Sequence, residues 1–201
     1  EQNFLDKLTI NSQIFEKNYK KNLKMTTPQP SIQSVDSLLS FLEGKYEQII
    51  IISDSSKLSG TYQLINQRIK EKNTLNNRVH LIDYKLNSVA QGILVKQAVK
   101  FISEETSIEL VLDKIEKIID RIFIYVAVAD LSPMINSGRI PKFLGEVAQK
   151  LSIHPIISLD KVGNGKLIGG SFSQAGSMSK ILKKIILLTN EGLVEELALT
   201  H

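Results

Sequence analysis

The chain has 201 residues and no cysteine, with 42% apolar and 23% charged residues and a formal net charge of +4. That is enough length for one large or two small domains with real cores, and the missing thiols exclude disulfides, thiolate zinc sites and cysteine nucleophiles. A cysteine-free chain of this balance fits a cytoplasmic protein.

Taken in order, residues 9–23 predict a helix opened by Thr9 or Asn11, with Ile14 and Phe15 turned inward. The loop KMTTPQPS follows, where Pro28 and Pro30 forbid regular hydrogen bonding. Ser31 is placed to cap the next helix, QSVDSLLSFLE, which stops at Gly44. EQIIIIS, ending at Ser53, is a short apolar run of the kind found in buried parallel strands. A helix to about residue 72 follows, then a strand over RVHLID (78–83), helices over 88–104 and 107–122, and a third strand over IFIYVAVA (122–129). Strands alternating with helices predict an α/β, Rossmann-like domain with a parallel sheet.

Beyond Asp130 the pattern changes. DLSPMINSGRIPKFLGEVAQKL predicts two short helices around a turn at Asn136, Ser137 and Gly138. ISLDKVGNGKLIGG predicts a hairpin turning at Gly-Asn-Gly, followed by a helix from about Gly176 to Glu191 and a closing strand in LVEELALTH. The expected division is an α/β domain over 1–151 and a smaller α+β domain over 152–201. The basic runs at 17–24, 68–72 and 180–184 sit on amphipathic helices and predict solvated faces. No basic stripe is interleaved with aromatics, so nucleic acid is not an expected partner. The longest apolar run, residues 122–129, is far short of a bilayer span.

The chemistry concentrates in SDSSKLSGTY, residues 53–62, which directly follows the first strand and carries five serine and threonine hydroxyls. Ligands of parallel sheets sit beyond the carboxyl ends of the strands, where free N–H groups and the helix dipole favour an anion. Gly60 lets backbone approach, and Ser59 and Thr61 can donate hydroxyl bonds. Simple helix capping by Ser59 explains the same residues equally well. Thr26 and Thr27 repeat the theme in the proline loop, and Arg139 lies on a glycine turn from which a guanidinium can reach a carboxylate or phosphate. A serine nucleophile is disfavoured, because no G-x-S-x-G elbow is present and His80, His154 and His201 are scattered. There is no Walker A run, and GNGKLIGG leads into no helix, so no nucleotide cofactor is expected. An alternative is an enzyme acting on a small phosphorylated substrate at this loop cluster, with Asp54, Asp83 or Asp130 as acid or base.

The stretches TPQPS (27–31), SSKLSGTY (55–62) and SGRI (137–140), in this order, resemble the motifs of the DegV family of bacterial lipid-binding proteins. HPIISLDKVGNGKL and the final LALTH resemble later parts of that family, so the resemblance covers nearly the whole chain. Pro28 stands where the family has serine, and Ser137 where it has glycine. The resemblance also implies that the family's opening strand and its last tens of residues lie outside this sequence. It implies a two-domain architecture and a non-catalytic role: binding one long-chain fatty acid in an apolar tunnel between the domains. The acid is then presented to a separate fatty acid kinase subunit, which phosphorylates its carboxyl. Carried over, Thr27 and Ser59 would hold the carboxylate, with Gly60, Thr61 and Ser56 beside them. Arg139 would face the partner or the phosphate, and His201 would lie near the carboxyl group.

Overall fold

A computed structural model describes residues 12–19, 27–75, 77–143 and 152–200. The first helix, α1, runs Ser12–Tyr19; its expected openers Thr9 and Asn11 lie outside the described residues, and Ile14 and Phe15, expected to turn inward, are exposed. Helix α2, Ile32–Glu43, starts where Ser31 Oγ accepts the Ser34 amide at 3.1 Å, as a serine N-cap should. It ends at Gly44, whose N–H donates back to the carbonyls of Leu42 and Ser40. Strand β1 (Ile49–Ser53) pairs in parallel with β2 (Val79–Asp83), in register from Ile49 opposite Val79 to Ser53 opposite Asp83. Between them lie α3 (Thr61–Glu71) and a 3₁₀ turn over Asn73–Leu75. Helices α4 (Ser88–Glu104) and α5 (Ile108–Ile119) follow β2.

The strand period of two sorts the isoleucines onto two faces. Ile49, Ile51, Val79 and Leu81 pack with Val35 and Leu39 of α2 and Ile69 of α3. Ile50, Ile52 and Ile82 pack against Ala90, Leu94, Val111 and Ile115 of α4 and α5. A sheet covered on both faces needs apolar side chains at every position, which is why IIII is continuous rather than alternating.

The third expected strand is corrected by the structure. Of residues 122–129 only Val126–Ala127 (β3) pair, and they pair antiparallel with β4 (His154–Leu159) rather than joining the parallel sheet. The run is not buried on both faces: Ile124 sits in the α4–α5 core while Phe123 and Val126 are exposed. An apolar run fixes neither the partner nor the direction of a strand. Strand β5 (Gly165–Ser171) completes a three-stranded antiparallel sheet in the order β3-β4-β5. A strand from before the expected boundary at residue 152 is thus paired with strands after it.

Helix α6, Ser132–Asn136, is the first of the two expected short helices, and Gly138 follows it at φ 75°. The second begins at residues 142–143, and its continuation over 144–151 lies outside those described. Helix α7 (Gln174–Asn190), capped by Ser173 Oγ on the Gly176 amide, lies on the antiparallel sheet, where Ser177 Oγ donates to the His154 carbonyl at 2.5 Å. The expected closing strand is also corrected: residues 193–200 form no strand. Instead Glu196 pairs with Lys96 of α4 at 2.7 Å and Glu195 with Arg121 at 2.6 Å. A strand needs an edge to pair with, and this segment is held by side chains. Among the described residues no helix is long and apolar enough to cross a membrane.

Candidate ligand site at the carboxyl ends of the parallel strands

The hydroxyl loop is wound by its own backbone. Ser55 N–H donates to the Leu86 carbonyl at 3.0 Å, and the amides of Leu58 and Ser59 both donate to the Ser55 carbonyl. From the neighbouring strand end, Asp83 accepts the Ser56 amide at 3.1 Å and the Ser56 hydroxyl at 2.5 Å. Asp83 also accepts the Lys85 amide at 3.3 Å. The Ser56 proton is therefore spent inside the protein, and Ser56 anchors the loop to β2.

Ser59 and Thr61 hydroxyls share one hydrogen bond at 2.9 Å, and Ser59 Oγ accepts the Thr61 amide at 3.2 Å. Whichever hydroxyl donates, the other keeps a proton for an outside acceptor. The pair sits at the start of α3, where the first amides have no partner within the helix and the dipole favours an anion. The expected capping by Ser59 is corrected: Gly60 is the N-cap of α3 and makes no side-chain cap bond, while Ser59 Oγ holds the amide of Thr61, the first residue of the helix.

The proline loop converges on the same point. A Cβ placed on Gly60 would lie 1.9 Å from Gln29 Nε2, so the Gln29 amide rests directly on the Gly60 backbone. Arg139 closes the gap: its Nε donates to the Leu58 carbonyl at 3.2 Å, and its second terminal nitrogen donates to Thr27 Oγ1 at 3.4 Å. Thr27, Ser59, Gly60, Thr61 and Arg139 are brought together. Ser56 lies one step behind them on Asp83, and His201 is outside the described residues.

Of the aspartates, Asp83 holds the loop, and Asp130 Oδ1 accepts the Ser132 amide at 2.8 Å to open α6. Burial pushes the Asp54 carboxyl above the usual range, opposed by the charge of Arg139. Among the described residues no group of three or more His, Cys, Asp or Glu side chains could hold a metal ion. A cleft of about 320 Å³ opens beside β2 and α5, bordered by Leu81, Asp83, Lys85 and Ile115.

Sequence reasoning missed Ser55, Gln29 and the hairpin tip. Ser55 is fully buried, and its hydroxyl donates to the Gly163 carbonyl at 2.8 Å, a contact spanning 108 residues of chain. Nothing local in SSKLSG distinguishes that serine from its neighbours.

The family model described as uncharacterised protein, DegV family, matches residues 1–201. A DegV domain-containing protein of Clostridium acetobutylicum is 27% identical over 198 residues, covering 96% of this chain and 67% of its own length. Among solved structures, the fatty acid binding DegV family protein of Streptococcus agalactiae superposes with a TM-score of 0.80 at 23% identity, over 92% of this chain and 65% of its own. The fatty acid kinase (Fak) B3 protein of Streptococcus pneumoniae, loaded with linoleic acid, gives 0.78 at 20% identity over 92% and 66%. The chain therefore spans about two thirds of the proteins it matches, and at these identities the structures establish the α/β fold.

Proposed function

Because the chain belongs to the DegV family, we propose that it binds one long-chain fatty acid and presents the carboxyl to a separate kinase subunit without catalysing the transfer itself. The observation that carries this reading is the convergence of Thr27, Ser59 and Thr61 hydroxyls with the first turn of α3, joined by Arg139. In this reading Thr27, Ser59 and Thr61 donate to the carboxylate and Gly60 lets the α3 amides approach it. Ser56 holds their loop on Asp83, while Arg139 orients Thr27 and faces the partner. His201 takes the place beside the carboxyl that the family resemblance gives it. The acyl chain runs between the α/β unit and the antiparallel sheet unit.

The energetics suit a neutral cradle. Burying an unpaired carboxylate costs several kcal/mol, and each buried methylene returns about 0.8 kcal/mol. A sixteen-carbon chain supplies on the order of 10 kcal/mol, so hydroxyls and amides suffice for the head group. The rival of an enzyme on a small phosphorylated substrate is left with Asp54 alone of its three candidate acids or bases, since Asp83 and Asp130 are engaged in holding backbone amides.

The test is to purify the protein from a bacterial host, denature it, extract with organic solvent and weigh the extract by mass spectrometry. Near one-to-one fatty acid, lost in the Thr27→Ala, Ser59→Ala double variant, is the expected result. A folded protein that yields no lipid and takes up none when it is added would overturn the reading.

A further inference from the structure

The hairpin between β4 and β5 is not a passive neighbour of the loop cluster. Its tip is prefolded by Asp160, whose carboxylate accepts the amides of Val162 and Asn164 at 3.0 and 2.9 Å. Gly163 follows at φ 92°, a conformation glycine adopts without strain. A Cβ there would stand 2.2 Å from Ser55 Oγ and 3.2 Å from the Lys85 Cα, so the tip is pressed between the loops that follow β1 and β2. Two residues on, a Cβ at Gly165 would stand 2.8 Å from the Arg139 carbonyl oxygen and 3.1 Å from Ile140. The same stretch of hairpin touches the hydroxyl loop on one side and the backbone of Arg139 on the other.

These contacts close a ring. Ser55 Oγ donates to the Gly163 carbonyl, the hairpin backbone runs to Gly165, and Gly165 lies against Arg139. Arg139 Nε donates to the Leu58 carbonyl, and the Leu58 amide donates to the Ser55 carbonyl at 2.9 Å. Within the ring Ser55 also accepts the Lys57 amide at 3.2 Å, so its buried hydroxyl both donates and accepts.

We propose that Ser55 is a positioning residue for the head-group site: by pinning the hairpin tip it sets where Arg139 stands, and through Arg139 where Thr27 and the Leu58–Ser59 backbone stand. The antiparallel unit thereby becomes part of the carboxylate cradle without touching the ligand. The effect on ligand rests on the fatty-acid reading above, whereas the ring itself is a property of the ligand-free protein. Because Ser55 Oγ and Gly163 meet from opposite sides of one contact, loosening it from either side has the same consequence.

The experiment uses Ser55→Ala, Gly163→Ala and their double variant, with Val111→Ala in the α5 core, away from the cleft, as a control for general destabilisation. Two quantities are read: the affinity for cis-parinaric acid, and hydrogen exchange at the Arg139 Nε–H in the ligand-free protein by nitrogen-edited NMR. Each single variant is expected to weaken binding about tenfold and to speed exchange at Arg139 Nε–H, while Val111→Ala changes neither. Removing Oγ takes away the 2.2 Å overlap but leaves the Gly163 methyl close to Ser55 Cβ and Lys85 Cα and strained at φ 92°, so the double variant is expected to bind no more weakly than Gly163→Ala alone. Unchanged exchange at Arg139 in both single variants, or losses that multiply in the double, would overturn the proposal. If the wild-type protein binds no cis-parinaric acid, the fatty-acid reading fails, and faster or unchanged exchange at Arg139 still supports or overturns the ring.

Discussion

Arg139 Nε donates to the carbonyl of Leu58 at 3.2 Å, joining the turn after α6 to the loop after β1 across 81 residues of chain. The same guanidinium reaches Thr27 on the proline loop. A planar fork can serve two acceptors at once; an ammonium on a flexible stem cannot hold both in fixed geometry. Arg139→Lys is therefore expected to weaken fatty-acid binding about tenfold, roughly 1.4 kcal/mol. The urea midpoint should move little, because the side chain is only half-buried. Displacement titration alongside urea unfolding checks both halves, and a lysine variant that binds as tightly as wild type would remove Arg139 from the site.

Asp83 should behave in the opposite way. It holds the Ser56 amide, the Ser56 hydroxyl and the Lys85 amide, all within the protein. Asp83→Ala strands these donors in a partly buried loop and is expected to cost about 1–3 kcal/mol of stability. Asp83→Asn keeps one carbonyl oxygen for the two amides and should cost less. Urea unfolding of the two variants, compared at one temperature, measures the difference; equal losses would show that the side-chain oxygen is not what holds the loop.

Most of the α/β unit was legible because its signals are local. Ser31 and Gly44 bracket α2 by cap chemistry, and the continuous isoleucines of β1 mark a strand covered on both faces. Helix α4 coincides with the expected 88–104. What was not legible is long-range pairing. The run at 122–129 has a strand's composition, but its antiparallel partner lies about thirty residues downstream, and only Val126–Ala127 find it. Residues 193–200 have strand-like apolar content, yet Glu195 and Glu196 tie them to Arg121 and Lys96 instead. In the site, hydroxyl clustering pointed to Thr27, Ser59 and Thr61. The division of labour between Ser55, Ser56 and Ser59 is set by Gly163 and Asp83, which no local pattern connects to them.

Asp54 makes a prediction in pH. Burial raises its carboxyl pKa in the folded protein, with Arg139 pulling the other way. A group whose folded pKa lies above its unfolded value contributes stability that is fully present below the unfolded pKa and lost as pH rises through the folded one. Asp54 should therefore make the protein lose stability as pH climbs from the ordinary aspartate range through its raised value. Asp54→Asn removes that slope. Urea midpoints of wild type and variant between about pH 3.5 and 7 should converge at the acid end and separate, with the variant more stable, towards neutrality. Parallel curves would show that Asp54 titrates as it does in the unfolded chain.

Tyr84 supplies the corresponding prediction on the alkaline side. Its ring is fully buried behind β2, and its hydroxyl donates to the Ala90 carbonyl in the first turn of α4 at 2.6 Å. Burial disfavours the phenolate and pushes the Tyr84 pKa above its ordinary value. By the same sign rule, the stability tied to this proton is complete below the unfolded tyrosine value of about 10 and drains away as pH rises towards the folded one. Tyr84→Phe keeps the ring and removes both the bond and the proton. Its cost near neutrality should be about 1 kcal/mol, because the Ala90 carbonyl still accepts within the helix ladder. Above about pH 10 the phenylalanine variant has no buried phenol to ionise, so its stability should fall less steeply than that of wild type, and the two unfolding curves should approach each other. Thermal or urea unfolding from pH 7 to 11 decides it: a gap that stays constant with pH would mean that Tyr84 does not couple folding to its ionisation.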